Sequence, residues 1–438
     1  MFFLIYFAIM INTFFSLFTI NVFLCLTIQA QTEKTPYAVY TTKEARANEY
    51  KHLVDNSINK NLSLELTDST EEDWQEAFDA MELINYRSAF VDSRISLAFN
   101  DIEKRSIGFQ RAALELIYTL QIKDYTSVVH KLLLQTANSK LFAMCAEYLF
   151  LFDKRDSLND ELSDLIHEKI SIAKEANNYA ILYSLSGRIG DRRPGTVLPV
   201  LDPEPLFDPG YLKGNVVVYS IQRKNRNHPG IVIVKDMNGN FMKDEAGNIF
   251  NVPQLARSIT NLPGYLTNGN TPQGIFRMDG FDVSKGSFIG PTENIQLTMP
   301  VETSIGHFLK DNKNTDTLWM PSVYRNLLPE SLQDYQPLYE SYQAGTAGRS
   351  EIIAHGTTVN PDYYKTQPYF PHTPTQGCLC TKEIWSTVDG KRTESDQQKL
   401  VDTIKKAGGA NGYVIVMEIN DLEKPVIVEE ILHYLDKK

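Results

Sequence analysis

Glycine and proline are divided so unevenly along this chain that one class of secondary structure cannot fill it. Of 24 glycines and 20 prolines, residues 31–190 hold three glycines (Gly108, Gly187, Gly190) and one proline, Pro36. The remaining 21 glycines and 19 prolines lie in residues 191–438. Helix interiors exclude both residues, whereas strands joined by turns require them. The chain is therefore predicted to be α+β and multidomain. A helical domain is expected over residues 43–190, a Pro-rich linker over 191–210 and a mainly β domain over 211–438. Apolar residues at 42% and charged residues at 22% rule out bulk disorder. The net charge is −11 and no Lys/Arg cluster stands out, which excludes a nucleic-acid partner, because phosphate binding needs a concentrated basic face.

Residues 1–30 carry no charged side chain, and the chain turns polar at Gln31-Thr32-Glu33-Lys34. The small Ala30 suits cleavage before Gln31, so a signal peptide is expected. An uncleaved membrane anchor is the competing reading, since about 20 apolar residues span a bilayer. Both readings export the bulk of the protein, to the periplasm or cell envelope. Beyond Cys25 three cysteines remain, Cys145, Cys378 and Cys380, an odd number that excludes a disulfide scaffold.

In the helical region Ser69-Thr70-Glu71-Glu72 predicts a capping box, followed by Trp74, Phe78, Met81, Leu83 and Ile84 near helical spacing. The segments 109–118 and 142–151 resemble each other at a shift of 33 residues, which suggests stacked hairpins or a plain bundle. Cys145 reads as a buried small hydrophobe. The region offers no chemistry and reads as a scaffold or interaction module.

Beyond the linker the period changes. Asn215–Ser220, Gly230–Val234, Gly412–Met417 and Pro425–Val428 read as strands, Asp236–Asn240 as a hairpin turn and Glu394–Ala407 as a short helix. The candidate chemistry lies at 350–385. A short apolar strand ends in His355-Gly356-Thr357, and Cys378 follows 23 residues after His355, within Thr375-Gln376-Gly377-Cys378-Leu379-Cys380. A nucleophilic thiol needs a base and a pair of oxyanion donors. His355 can be the base, with a nearby backbone carbonyl fixing its tautomer. Gly377 permits the sharp turn that aims N–H groups at one point. A buried cysteine with an unrelated histidine is the plain alternative.

The order of three elements resembles the YkuD family of L,D-transpeptidases. They are Thr271-Pro272-Gln273-Gly274-Ile275-Phe276, Ile353-Ala354-His355-Gly356-Thr357 and Thr375-Gln376-Gly377-Cys378-Leu379. The resemblance covers about residues 211–438. It implies a cysteine acyltransferase acting on peptidoglycan stem peptides, with no cofactor and no metal. Cys378 would attack the third-position carbonyl and expel D-alanine, and the thioester would pass to an amine on a neighbouring stem. His355 would serve as base and then acid, Gly377 and Cys378 N–H groups would hold the oxyanion, and carbapenems would acylate Cys378. Gly356, Thr357 and Gln376 would orient the site. The chain departs from the family in having Gln376 before Gly-Cys and Cys380 two positions after the nucleophile, where Arg or Asn is frequent.

An insertion over about 306–349 carries Trp319, Tyr324, Tyr335, Tyr339 and Tyr342. These rings and Arg325 either line a substrate groove under a lid or pack into a core of their own. His372, in the loop before Cys378, is a further groove candidate. Two other functions stay open: hydrolysis of the same thioester, as an L,D-carboxypeptidase or in wall-protein linkage cleavage, and a non-catalytic wall-binding scaffold. The helical region would then dock a cell-wall protein. Since every candidate catalytic residue lies past the linker, residues 205–438 are expected to react alone.

Overall fold

Capping explains where several helices of the first region begin. Thr42, Ser88, Ser106 and Asn138 each accept a backbone N–H three residues on. In the computed structural model the described residues are 35–193, 196, 200–311 and 313–435. The leader or anchor expected over 1–30 therefore lies outside them, as do parts of the Pro-rich linker. The helices are α1 (Lys43–His52), α2 (Glu71–Ile84), α3 (Ala89–Phe99), α4 (Ile107–Thr119), α5 (Thr126–Gln135), α6 (Ser139–Phe152), α7 (Leu158–Ile172) and α8 (Ala176–Asp191). The two similar segments fall on α4 and α6, which are neighbours. α6 is buried almost all round, from Leu141 through Phe150. No described helix is long and apolar enough to cross a membrane.

The expected capping box does not form. Thr70 is the N-cap of α2, but its hydroxyl turns back to the Glu65 and Thr67 carbonyls. Ser and Thr hydroxyls readily make such local backbone bonds instead of caps.

The second region is a closed eight-stranded barrel, in the order β1-β10-β4-β5-β6-β7-β3-β2. Its strands are β1 (Val216–Arg223), β2 (Gly230–Lys235), β3 (Val252–Leu255), β4 (Gly274–Val283), β5 (Glu293–Thr298), β6 (Ile353–His355), β7 (Leu379–Thr381) and β10 (Gly412–Asn420). A separate two-stranded sheet joins β8 (Glu383–Trp385) to β9 (Arg392–Ser395). β1 runs parallel to β10 and β6 parallel to β7; the other barrel pairs are antiparallel. The chain is thus α+β. Residues 425–428 are not a strand. Pro425 has no N–H for a ladder. The Lys424 and Pro425 carbonyls accept from the buried Arg223 guanidinium, at 2.8 and 2.9 Å.

Alternation sends the two faces of the strands into two cores. Val216, Val218, Phe276, Ile295, Ala354, Leu379 and Val414 pack with one side of α10 (Asp396–Ala407). Val217, Tyr219, Ile221, Ile275 and Ile415 pack beneath Leu206, Phe207, Trp319 and Tyr324. Both faces of β1, β2 and the first parts of β4 and β10 are therefore buried, which gives apolar runs rather than alternation there.

The linker does not separate two cores. Leu262, Tyr265, Leu266 and Ala347 belong to the same buried cluster as α2, α4, α6 and α8. Residues 36–438 form one compact unit. Tyr265 donates to Glu147 at 3.0 Å, and Arg188 grips the same carboxylate. Asn268 donates to Glu115, Lys140 to Thr267 and Tyr364 to the Leu83 carbonyl.

Candidate active site

The parallel pair β6–β7 brings the two ends of the predicted motif together. Ala354 lies opposite Leu379 and His355 opposite Cys380. Extending that register by one residue puts Cys378 opposite Ile353, and the Ile353 N–H donates to the Cys378 sulfur at 3.5 Å. Ala354 and Leu379 point into the barrel core, so His355 and Cys380 face outward on the other side of the sheet. Leu255, the β3 partner of Cys380, packs there with Tyr364 and Tyr369 of the loop between the two motifs.

Cys378 is partly exposed, and its thiol points to the Glu351 carbonyl at 3.8 Å. Removal from water raises the pKa of the thiol; the Ile353 N–H and the Arg349 guanidinium pull it back. His355 is buried, and its Nδ1 meets the Gly356 carbonyl. A carbonyl only accepts, so Nδ1 carries the proton and Nε2 keeps the lone pair. Burial lowers the imidazole pKa to about 4. At neutral pH the Cys378 thiol and the His355 imidazole are both uncharged.

Two glycines are required by close approach. A Cβ on Gly377, at φ +119°, would stand 1.8 Å from Arg349 Nη2, and one on Gly356 would stand 2.3 Å from the Glu383 carboxyl. Arg349 was given no role by the sequence. Its Nη1 donates to the Gly264 and Asn270 carbonyls at 2.5 and 2.7 Å, and its Nη2 to Gly269 at 2.5 Å. The guanidinium thus ties the 264–270 loop beneath the Gly377–Cys378 turn. It supplies a cation beside the thiol, although the position two past Cys378 is Cys380. Thr271, which opens the Thr-Pro-Gln-Gly segment, donates to the Gly377 carbonyl at 2.8 Å. Thr375 closes the turn: its hydroxyl accepts the Gly377 N–H at 3.0 Å and donates to the Cys378 carbonyl at 2.9 Å. The Gly377 N–H is therefore engaged inside the turn rather than held out as an oxyanion donor. The only sequence signal for Arg349 was its place between Gly348 and the His-Gly strand.

The other candidates are spread out. Thr357 is buried, with its hydroxyl against Thr373 at 2.8 Å and its carbonyl accepting from Trp385 at 2.8 Å. Gln376 is exposed. Tyr324 does not line a groove: it is wholly buried, accepts the Ile275 N–H at 2.9 Å and donates to the Leu338 carbonyl at 2.6 Å. The aromatic insertion is thus packed as core over the barrel, with Tyr324 against Tyr339 and Tyr342. Arg325 is held at the surface by Asp334, at 2.5 Å. His372 is buried, its Nδ1 3.3 Å from the Tyr369 carbonyl, and burial lowers its pKa. Cys380 is buried beneath Thr373, with its thiol pKa pushed up to about 12 by burial, and all three described cysteines are free. Among the described residues, three or more His, Cys, Asp or Glu side chains do not gather to hold a metal ion. No family model, curated protein or solved structure matches this chain.

Proposed function

We propose that the barrel is a cysteine acyltransferase of the L,D-transpeptidase type, exported and acting on peptidoglycan stem peptides. The observation that supports this most is the β6–β7 pairing, which sets the Cys378 turn beside the strand that ends in His355. In the proposed reaction the Cys378 sulfur bonds to the stem-peptide carbonyl while its proton goes to His355 Nε2. The C–N bond to D-alanine breaks and His355 returns the proton to the leaving amine. A second amine then attacks the thioester, its proton passes to His355, and the C–S bond breaks to restore the thiol. A resting thiol–imidazole pair suits this order, because the charged pair forms only as the carbonyl is attacked. Arg349 favours the developing thiolate by its charge. With the Gly377 N–H held by Thr375, the Cys378 N–H is the turn's remaining oxyanion donor in this mechanism.

The test is intact-protein mass after incubation with a carbapenem, followed by product analysis on stem peptides with and without an amine acceptor. A single adduct on Cys378 and a cross-linked product are expected. An adduct with only hydrolysed product assigns the protein to the hydrolase alternative, and an unmodified Cys378 refutes the acyltransferase reading.

A further inference from the structure

Away from Cys378, a cavity of about 190 Å³ opens where the starts of α4, α6 and α8 meet. Arg111 comes from the second turn of α4, Asn138 and Lys140 from the start of α6, and Asn177 and Asn178 from the first turn of α8. Ala347, just after α9 (Glu340–Thr346), closes one side, two residues before Arg349.

Its lining carries two cations and three amides but no carboxylate. Lys140 donates a hydrogen bond to a neutral partner, Thr267 Oγ1, at 2.8 Å, and the Glu115 carboxylate acts on it through space. Arg111 reaches Glu115 at 3.9 Å, and its Nε is buried with no hydrogen-bond partner. Lys140 is held below the usual lysine pKa by burial first and then by the neighbouring Arg111 charge, against a pull upward from Glu115. Two cations held near each other in partial burial cost free energy that an anion would recover. The positive ends of the α4, α6 and α8 dipoles add to the same field. At the start of α8 the Asn178 N–H is taken by Asn177 Oδ1 at 2.7 Å and the Asn178 amide donates to the exposed Glu175 carboxylate at 3.2 Å, so α8 adds its dipole rather than free donors. Asn138 already caps α6 through the Leu141 N–H at 2.9 Å, and its amide NH₂ is the group left for a ligand.

We propose that this cavity binds a carboxylate group, on a small acid or at the end of a peptide. Glu115 offsets part of the charge of both Arg111 and Lys140, which suits a monoanion rather than a dianion. The volume is below the roughly 300 Å³ at which drug-sized sites begin, so an acidic head fits and a whole larger ligand does not. The site is built largely by the helical region and does not depend on the reaction at Cys378.

The experiment is calorimetric titration of the full chain with trialanine, trialanine amide, acetate and inorganic phosphate. Trialanine is expected to bind saturably, with at least a tenfold loss for its amide. Arg111→Gln and Lys140→Gln should each weaken trialanine at least tenfold with an unchanged melting temperature. If Arg111→Gln lowers that temperature, Lys140→Gln alone decides. Acetate binding as tightly as trialanine assigns the site to small acids; a tenfold advantage for trialanine assigns it to a peptide end. Equal binding of the amide, tighter binding of phosphate, no binding of trialanine or acetate, or indifference to Lys140→Gln each overturns the proposal.

Discussion

The helical region and the barrel are built from opposite kinds of contact. In the helical region the partners are mostly near in sequence, and the buried residues of a helix such as α2, Trp74, Phe78 and Met81, repeat within one segment. In the barrel the groups around Cys378 come mostly from far along the chain: Thr271, Arg349, Ile353 and His355, with only Thr375 local. Local periodicity builds a scaffold, while chemistry needs strands that meet only after the sheet closes. The sharpest way to break that contrast is to move the thiol chemistry. Cys378→Ala and His355→Ala are each expected to reduce acyl transfer to less than a hundredth of wild type with an unchanged circular dichroism spectrum. Cys145→Ala, in the apolar interior of α6, should leave acylation unchanged. More than a tenth of wild-type turnover in Cys378→Ala sinks the assignment of the nucleophile.

The next largest effect concerns the boundary itself. Residues 205–438 hold the whole candidate site, yet Leu262, Tyr265, Leu266 and Ala347 are buried among the helices. Freed of residues 36–204 they would form an exposed apolar patch next to the 264–270 loop that Arg349 secures. The fragment is expected to aggregate, or to unfold without a cooperative transition by calorimetry. A soluble fragment that unfolds cooperatively and forms the carbapenem adduct would restore two independent domains.

These two outcomes mark what the sequence could say. The α+β class was legible because glycine and proline report on backbone directly. The segments of His355 and Cys378 stood out because a glycine stands beside each, and the β6–β7 pairing brings the two segments together. Arg349 was not, because its three acceptors, Gly264, Gly269 and Asn270, are backbone carbonyls with no side-chain pattern. Tyr324 was ambiguous because an aromatic cluster has the same composition in a groove and in a core. The shared core was hidden because Tyr265 lies in a Pro- and Gly-rich segment that reads as a loop on the barrel side.

Arg349 therefore tests the long-range half of the comparison. Arg349→Ala leaves three buried carbonyls without their donor and is expected to cost about 3 kcal/mol in denaturant unfolding. It also removes the cation beside Cys378, so labelling by a thiol reagent at pH 7 should slow. Arg349→Lys should recover the labelling rate more than the stability, because a single ammonium replaces the charge but not the fork. Equal recovery of both would mean that charge alone accounts for the residue.

His355 gives a comparable effect that pH can turn on and off. Its folded pKa is near 4, below the unperturbed value of 6.5. Between those values the unfolded chain binds a proton that the folded chain does not. Stability is then lost as pH falls from about 6.5 toward 4, by up to about 3 kcal/mol for this group. His355→Gln should remove that part of the slope and leave stability at pH 8 within about 1 kcal/mol of wild type. An unchanged slope would place the imidazole in water.

The smallest expected effect tests the seam between the two regions. Tyr265 donates to Glu147 Oε1 at 3.0 Å, while Arg188 holds both oxygens of that carboxylate. Tyr265→Phe keeps the ring in the helical core and removes one hydrogen bond to a charged acceptor. Because Arg188 remains, Glu147 is not left unpaired, and the loss should stay near the about 1.5 kcal/mol typical of a bond to a charged group. Glu147→Gln takes the carboxylate charge away from both Tyr265 and Arg188 and should cost more, since the Arg188 guanidinium then faces a neutral amide in place of its counter-charge. The two changes share a partner and should not add: the double variant is expected to lose less than the sum of the single ones. Additive losses would mean that the Tyr265 hydroxyl does not depend on the Glu147 charge, and no loss in Tyr265→Phe would mean that the hydroxyl contributes nothing to joining helices and barrel.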